Sequence, residues 1–335
     1  MRAGFVGLVG RPNVGKSTLL NQLLGEKLAI ATPRPQTTRE RLLGVLNRPG
    51  LQLALVDTPG LHRPRGVGRT RLNQFMVDEA KAALGSVDVL VLLVDVTPEH
   101  APQKARPAHP RDRKREARPA PAPVLVPAVR IDPGMQAVLE EIRAANRPTI
   151  LALNKVDQLR DKRQLLPLLE QYGALGFAAM VPISAKTGAG VPALLDELEK
   201  IVPEGAPLFD EDTLTDRAER WFVTEFVREQ VFLLTKREVP YSVAVSVDEF
   251  EEGVGRSGGR ELKVAATISV EKEAHKRILV GAGGAMIREI GSRARHELGQ
   301  RFDAVVHLSL FVRVDEGWTG DRRKLADFGY ESSGK

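Results

Sequence analysis

The chain has no cysteine, so it can build neither a disulfide framework nor a thiolate metal site. It also lacks any uninterrupted apolar run long enough to cross a membrane, and no anchor or amphipathic span stands out. The N-terminal residues enter a strand pattern at once instead of a signal peptide, and the cytosolic class is expected. What is present suits a globular protein: 42% of the residues are hydrophobic, enough for a full core. At 335 residues the chain is expected to form two domains, on a prior of about one per 150 residues. The net charge is +6 and unevenly spread. Residues Pro98 to Gly134 hold eight basic side chains against four acidic ones, among dense proline and alanine. The core of that stretch, from Ala101 to Pro127, has no core-like period. The stretch reads as a disordered basic insertion, about 98–134, either an arm that adds non-specific RNA affinity or a neutral surface insertion.

Around the insertion lie four short motifs in a fixed order. Arg2 to Val9 is apolar and rich in small and β-branched residues, and reads as a buried first strand. It runs into Gly10-Arg11-Pro12-Asn13-Val14-Gly15-Lys16-Ser17, after which Thr18 to Leu24 reads as a helix. Strand, glycine-rich loop and helix together describe a phosphate-binding loop, with backbone N–H groups and the helix N-terminus facing the anion. Lys16 is expected on the β- and γ-phosphates and the Ser17 hydroxyl on magnesium. A second buried strand, Leu51 to Val56, ends in Asp57-Thr58-Pro59-Gly60. Asp57 stands where open α/β sheets bind ligands, and is expected to hold the metal through a water. Gly60 lets its N–H approach the γ-phosphate. Between the two motifs, Pro33 to Arg39 is polar and without period, as suits a switch loop. Thr38 is the expected metal ligand there, with Thr37 close behind.

The base end of the pocket follows a strand at Thr149 to Leu153. In Asn154-Lys155-Val156-Asp157 the Asp157 carboxylate can accept both adjacent donors of guanine, which adenine lacks. Asn154 would brace the loop and touch the base, and the Lys155 stem would cover the ring. Ser184-Ala185-Lys186 follows another short strand and would offer backbone N–H groups to the guanine O6. GTP or GDP with magnesium is the expected ligand. Leu61 occupies the position directly after Gly60, where a glutamine would orient the attacking water. An apolar side chain cannot do so, and slow intrinsic turnover is expected. Asn13 is a candidate ligand for a potassium ion beside the phosphates.

A boundary near Val202 to Thr215 contains Pro203 and Pro207. Beyond it the pattern is helix (Arg217 to Leu234), strand (Ser242 to Phe250), strand (Glu261 to Val270) and a further helix. Gly281-Ala282-Gly283-Gly284 comes next, then a helix (Ala285 to Leu298) and a strand (Asp303 to Val314). Gly-x-x-Gly between two helices is the KH signature, which clamps a single-stranded nucleic-acid backbone. Arg277, Arg288, Arg293 and Arg295 flank it and are candidates for phosphate contacts. Ile278, Leu279, Val280 and Ile287 line a groove for bases, or the core on which that groove is built.

The phosphate loop, Gln36-Thr37-Thr38-Arg39, the Asp-Thr-Pro-Gly and Asn-Lys-Val-Asp boxes, Tyr241-Ser242-Val243, Gly291 to Arg295 and the tail Trp318 to Tyr330 resemble the Era family of bacterial GTPases over nearly the whole chain. The resemblance implies a P-loop NTPase G domain, a doubly wound and mostly parallel α/β sheet, over residues 1–203. A linker at 204–216 and an α+β type II KH domain with its tail at 217–330 would follow. It implies a GTP-hydrolysing switch that binds the 3′ end of 16S rRNA and assists assembly of the 30S subunit. It also implies a monomer with no DNA partner, peripheral contact with the inner membrane, and a link to cell-cycle control. Two features depart from the family: the long insertion, and Ala282 and Gly283 where a lysine is usual, which leads us to expect weaker or more salt-sensitive RNA binding. Two other readings use the same motifs. One is an RNA-binding assembly chaperone in which hydrolysis is incidental, or a GTPase acting on another structured RNA. The other is a tRNA-modification GTPase, disfavoured by the KH pattern and the missing cysteine.

Overall fold

The computed structural model of the chain describes residues 1–61, 70–97, 131–256 and 258–330. Apolar runs dictate the first sheet. β1 (Arg2–Gly10), β3 (Leu51–Asp57), β4 (Val89–Asp95) and β5 (Thr149–Asn154) are buried over nearly their whole lengths. Such strands must be covered on both faces, the condition that favours a parallel sheet. With β2 (Leu42–Arg48) and β6 (Ala179–Ile183) they form six strands in the order β2-β3-β1-β4-β5-β6. All pair in parallel except β2, which runs antiparallel to β3. Helices α1 (Lys16–Leu24), α2 (Arg71–Gly85), α3 (Pro133–Ala145), α4 (Leu166–Gly173) and α5 (Val191–Ile201) cover it. The order reverses at β1, whose two neighbours are β3 and β4. Ligands bind such sheets at that reversal, outside the carboxyl ends of the strands.

The second unit opens with α6 (Glu219–Leu234), followed by β7 (Val243–Val254) and β8 (Arg260–Val270). Then come α7 (Glu273–Val280), α8 (Ala285–Phe302), β9 (Val305–Val314) and a short α9 (Arg322–Asp327). Its sheet has the order β7-β8-β9, antiparallel then parallel, with α6 and α8 packed together. No helix among the described residues is long and apolar enough to cross a membrane.

Two segments differ from the expectation drawn from composition. Of the proposed insertion, residues 98–130 lie outside the described residues, but its last residues are structured. Asp132 caps α3, accepting hydrogen bonds from Gly134 N at 2.8 Å and Met135 N at 3.3 Å, with Pro133 in the first turn. A proline there is favourable, because its missing N–H would be unpaired anyway. The stretch at 204–216 reads as a linker yet is laced to the first sheet. The buried Gln52 accepts from Phe209 N at 3.0 Å and donates to Phe209 O at 2.8 Å. Val45 N donates to Leu214 O at 2.8 Å, covering the open edge of β2.

Candidate nucleotide site and candidate nucleic-acid interface

The carboxyl ends of β1, β3, β5 and β6 open into one cleft of about 580 Å³. Asn13, Gly15, Lys16, Ser17, Thr18, Thr38, Gly60, Asn154, Lys155, Asp157, Ala185 and Lys186 all line it. Four segments far apart in sequence therefore meet, as their motifs led us to expect. Gly10 and the buried Val14 frame the loop from behind; Gly10 has φ 148°.

At the phosphate end three oxygens converge. Ser17 Oγ donates to Asp57 Oδ2 at 2.6 Å, Thr38 Oγ1 reaches the same atom at 3.2 Å, and the two hydroxyls are 2.9 Å apart. Thr37 also lines the cleft, but its hydroxyl is engaged with Thr32 and with Arg34 O. Asp57 is fully buried, and its Oδ1 has no hydrogen-bond partner. Burial raises its pKa against the opposing pull of Lys16, Ser17 and Thr38. The buried Lys16 ammonium rests on Arg11 O at 3.1 Å and Gly10 O at 3.4 Å. Burial lowers its pKa to about 8, and Asp57 works in the other direction. Gly60 packs against Pro12 so closely that a Cβ would stand 2.7 Å from Pro12 N. Leu61 points into the core and is 4% exposed, so it cannot face a water in the cleft.

At the other end Asn154 ties two loops together. Its Nδ2 donates to Val14 O at 2.7 Å and its Oδ1 accepts from Ala185 N at 2.9 Å. Gly15, at φ 101°, has to be glycine here, because any Cβ would collide with Asn154 Nδ2. The structure thus gives Asn154 the bracing role. It also commits two of the three amides expected for guanine O6: Ser184 N donates to Ala189 O at 2.8 Å, and Ala185 N to Asn154. Asn13 donates to Pro33 O at 3.0 Å, joining the phosphate loop to the 33–39 loop.

One residue of this site escaped the sequence reading. Asp95, at the end of β4, accepts from Lys155 Nζ at 2.6 Å and from Thr97 N and Oγ1 at 2.9 and 2.7 Å. The signal was the one that marks Asp57: an acid closing a buried strand. Burial opposes its ionisation, but Lys155 and Thr97 prevail and hold its carboxyl below the usual range. A carboxyl depressed in the folded state stabilises above its unfolded pKa, roughly 4, and loses that contribution only as pH falls through the folded value. Guanine-nucleotide affinity is therefore expected to show no dependence on this pair between about pH 5 and 8. Asp95→Asn is expected to weaken GTP-analogue binding about tenfold with little change in kcat at saturation, which calorimetry and steady-state kinetics would check.

In the second unit, Gly281-Ala282-Gly283-Gly284 forms the turn between α7 and α8. Gly281 sits at φ 69°, and a Cβ there would lie 2.8 Å from Met286 Cβ. Gly281 N donates to Arg277 O at 2.9 Å. Arg277 and Arg288 are exposed beside the loop, and Arg288 Nη1 donates to Gly283 O at 2.7 Å. Arg293 is not brought there: it pairs with Glu289 at 2.7 Å and faces another cleft with Arg295 and His296. Ile278 is exposed, Leu279 is core, and Ile287 packs partly against the core.

Comparisons with known proteins agree with both halves. Residues 5–155 match the family model described as 50S ribosome-binding GTPase, and residues 238–319 the model described as KH domain. The GTPase Era of Syntrophus aciditrophicus is 43% identical over 98% of this chain and 95% of its own length. A crystal structure of an Aquifex aeolicus Era variant bound to GDP·AlF4− superposes with a TM-score of 0.84 at 35% identity, covering 99% of this chain and 100% of that one. A crystal structure of Era in complex with MgGDPNP and nucleotides 1506–1542 of 16S ribosomal RNA gives 0.85 at 34% identity, with the same coverage. With the four motifs assembled in one cleft and this likeness running the length of both units, the chain belongs to the Era family of GTPases.

Proposed function

We propose that this GTPase is a switch that binds the 3′ end of 16S rRNA through its second unit and assists assembly of the 30S subunit. The observation that carries the reading is the likeness, over both units, to the solved Era complex with a GTP analogue and that RNA. In this reading residues 1–203 handle nucleotide, 204–216 connect, and 217–330 form the KH unit and tail. The protein acts as a cytoplasmic monomer, and any contact with the membrane is peripheral.

The phosphate-end residues fit a magnesium ion. A buried carboxylate oxygen lacks a partner, and two hydroxyls stand beside the other oxygen of the same group. Hard oxygen donors of this kind suit magnesium. Ser17 and Thr38 would hold it directly and Asp57 through a water. When bound, the ion neutralises charge on the β- and γ-phosphate oxygens. Lys16 leaves its loop carbonyls for the phosphates, and the N–H groups of Asn13, Val14 and Gly15 cradle them. Gly60 N–H meets the γ-phosphate, Asp157 accepts from guanine, and Lys186 N–H is left to meet O6. With Leu61 in the core, its side chain does not orient the attacking water, and slow intrinsic turnover is expected. We assign Asn13, already at the carbonyl of Pro33, to a potassium site. Hydrolysis is expected to run about tenfold faster in potassium than in sodium, and Asn13→Ala to erase the difference; equal rates in the two wild-type buffers would remove the ion from the account.

Arg288 supplies the positive charge that Ala282 and Gly283 lack. The test of the RNA assignment is titration of an oligonucleotide matching the 3′ end of 16S rRNA against a scrambled one. Selective binding is expected. Arg288→Ala is expected to weaken it and to lower the salt slope by about one. Equal affinity for both oligonucleotides would reject the assignment.

A further inference from the structure

Arg39 follows Thr38 directly and is 3% exposed. Its guanidinium is spent entirely on the second unit. Nη1 donates to Val243 O at 2.6 Å and Tyr330 Oη at 3.2 Å; Nη2 donates to Pro240 O and Tyr241 O, both at 3.3 Å. The rings of Trp318 and Tyr330 lie 5.8 and 5.7 Å from its carbon centre. One residue earlier, Thr38 reaches Ser17 and Asp57. Adjacent Cα atoms are about 3.8 Å apart across a trans peptide. Thr38 therefore cannot withdraw far from the metal-site oxygens without pulling Arg39 off its acceptors or dragging them along.

The acceptors are themselves held from behind. Ser242 Oγ lies 3.1 Å from Val239 O and 2.9 Å from Nδ1 of the buried His275 on α7, the helix that ends at Gly281. Trp318 Nε1 donates to Ser242 O at 3.0 Å. Tyr330 also packs its ring 5.9 Å from Phe75 on α2, the helix that follows Gly60 in the chain. The 33–39 loop and α2 thus both rest on Tyr330.

We propose that Arg39 is a positioning residue for GTP hydrolysis: anchored on the backbone carbonyls of 240–243, it holds Thr38 at the oxygens of Ser17 and Asp57. This rests on the reading of Thr38 as a magnesium ligand. Releasing the anchor leaves buried carbonyls and a buried guanidinium unpaired, a costly state, so the loop and the second unit move together. The dependence is reciprocal: whatever fixes 239–243 favours the closed loop. The planar fork matters more than the charge, since an ammonium cannot span four separated acceptors.

The test measures kcat, KM and GDP affinity for the full-length wild type, Arg39→Lys, Ser242→Ala and Thr38→Ala. Arg39→Lys is expected to lower kcat about tenfold or more, with KM and GDP affinity within about threefold of wild type. Ser242→Ala has no atom in the nucleotide cleft, and is expected to lower kcat in the same direction by a smaller factor. Should Arg39→Lys fold poorly and lose GDP affinity, Ser242→Ala decides alone. Wild-type kcat in Ser242→Ala, or in a well-folded Arg39→Lys, while Thr38→Ala is impaired, overturns the proposal. Wild-type kcat in Thr38→Ala overturns the ligand reading and the proposal with it.

Discussion

Asp57→Ala is expected to cut GTP hydrolysis by about 100- to 1,000-fold, through loss of metal-assisted charge stabilisation. It should do so without lowering the stability of the magnesium-free protein. Asp57 is fully buried, its Oδ1 has no partner, and burial raises its pKa against the pull of Lys16 and the two hydroxyls. An acid raised in the folded state costs stability above its unfolded pKa, and that cost is relieved as pH falls through the folded value. Removing the carboxyl relieves the same cost at neutral pH. The melting temperature of the variant should equal or exceed that of the wild type at pH 7, with the gap closing toward lower pH. A variant that melts well below wild type at pH 7 would mean that Asp57 serves the fold more than the reaction.

Asp157→Ala is expected to lower the preference for GTP over ATP by about 10,000-fold, because sites built to pair a substrate's donors discriminate by that order. The residue sits on a short turn, Val156–Gln158, that leaves Lys155 in a left-handed conformation at φ 71° and closes with Gln158 N to Lys155 O at 3.0 Å. Asn154 is occupied with Val14 and Ala185, and Lys155 with Asp95. Asp157 therefore remains the group of this motif that is free to read the base. Competition between labelled GTP and ATP measures the ratio. A variant that keeps a preference above about 100-fold would shift base recognition to the Lys186 amide.

The parts of this structure that a sequence makes legible are those whose partners are implied by type. β1, β3 and β5 are largely apolar runs ending at a glycine loop, an acid and an asparagine, and each lies where the sequence places it. β2 and α2 were not singled out. The first is a short edge strand mixing Leu, Gly, Asn and Arg, and the second opens on polar residues behind the loop after Gly60. Asp132 and Pro133 were absorbed into the insertion because proline and charge resemble a loop, although the same pair is a helix start. The 204–216 stretch looked free because its partners, Gln52 and the edge of β2, are distant in sequence. Arg39 is the extreme case. Its partners are backbone carbonyls, which no side-chain pattern announces, so its role is visible only in three dimensions.

Nucleotide state and RNA affinity are therefore expected to be linked through the residues between Thr38 and α7. The measurement that tests this most directly is equilibrium binding of the 16S 3′-end oligonucleotide to the full chain with a GTP analogue, with GDP and with no nucleotide. Affinity at least about fivefold tighter with the analogue than with GDP is predicted, the lower end of ordinary coupling energies. Equal affinities in all three states would leave a GTPase and an RNA-binding unit side by side, with no switch between them.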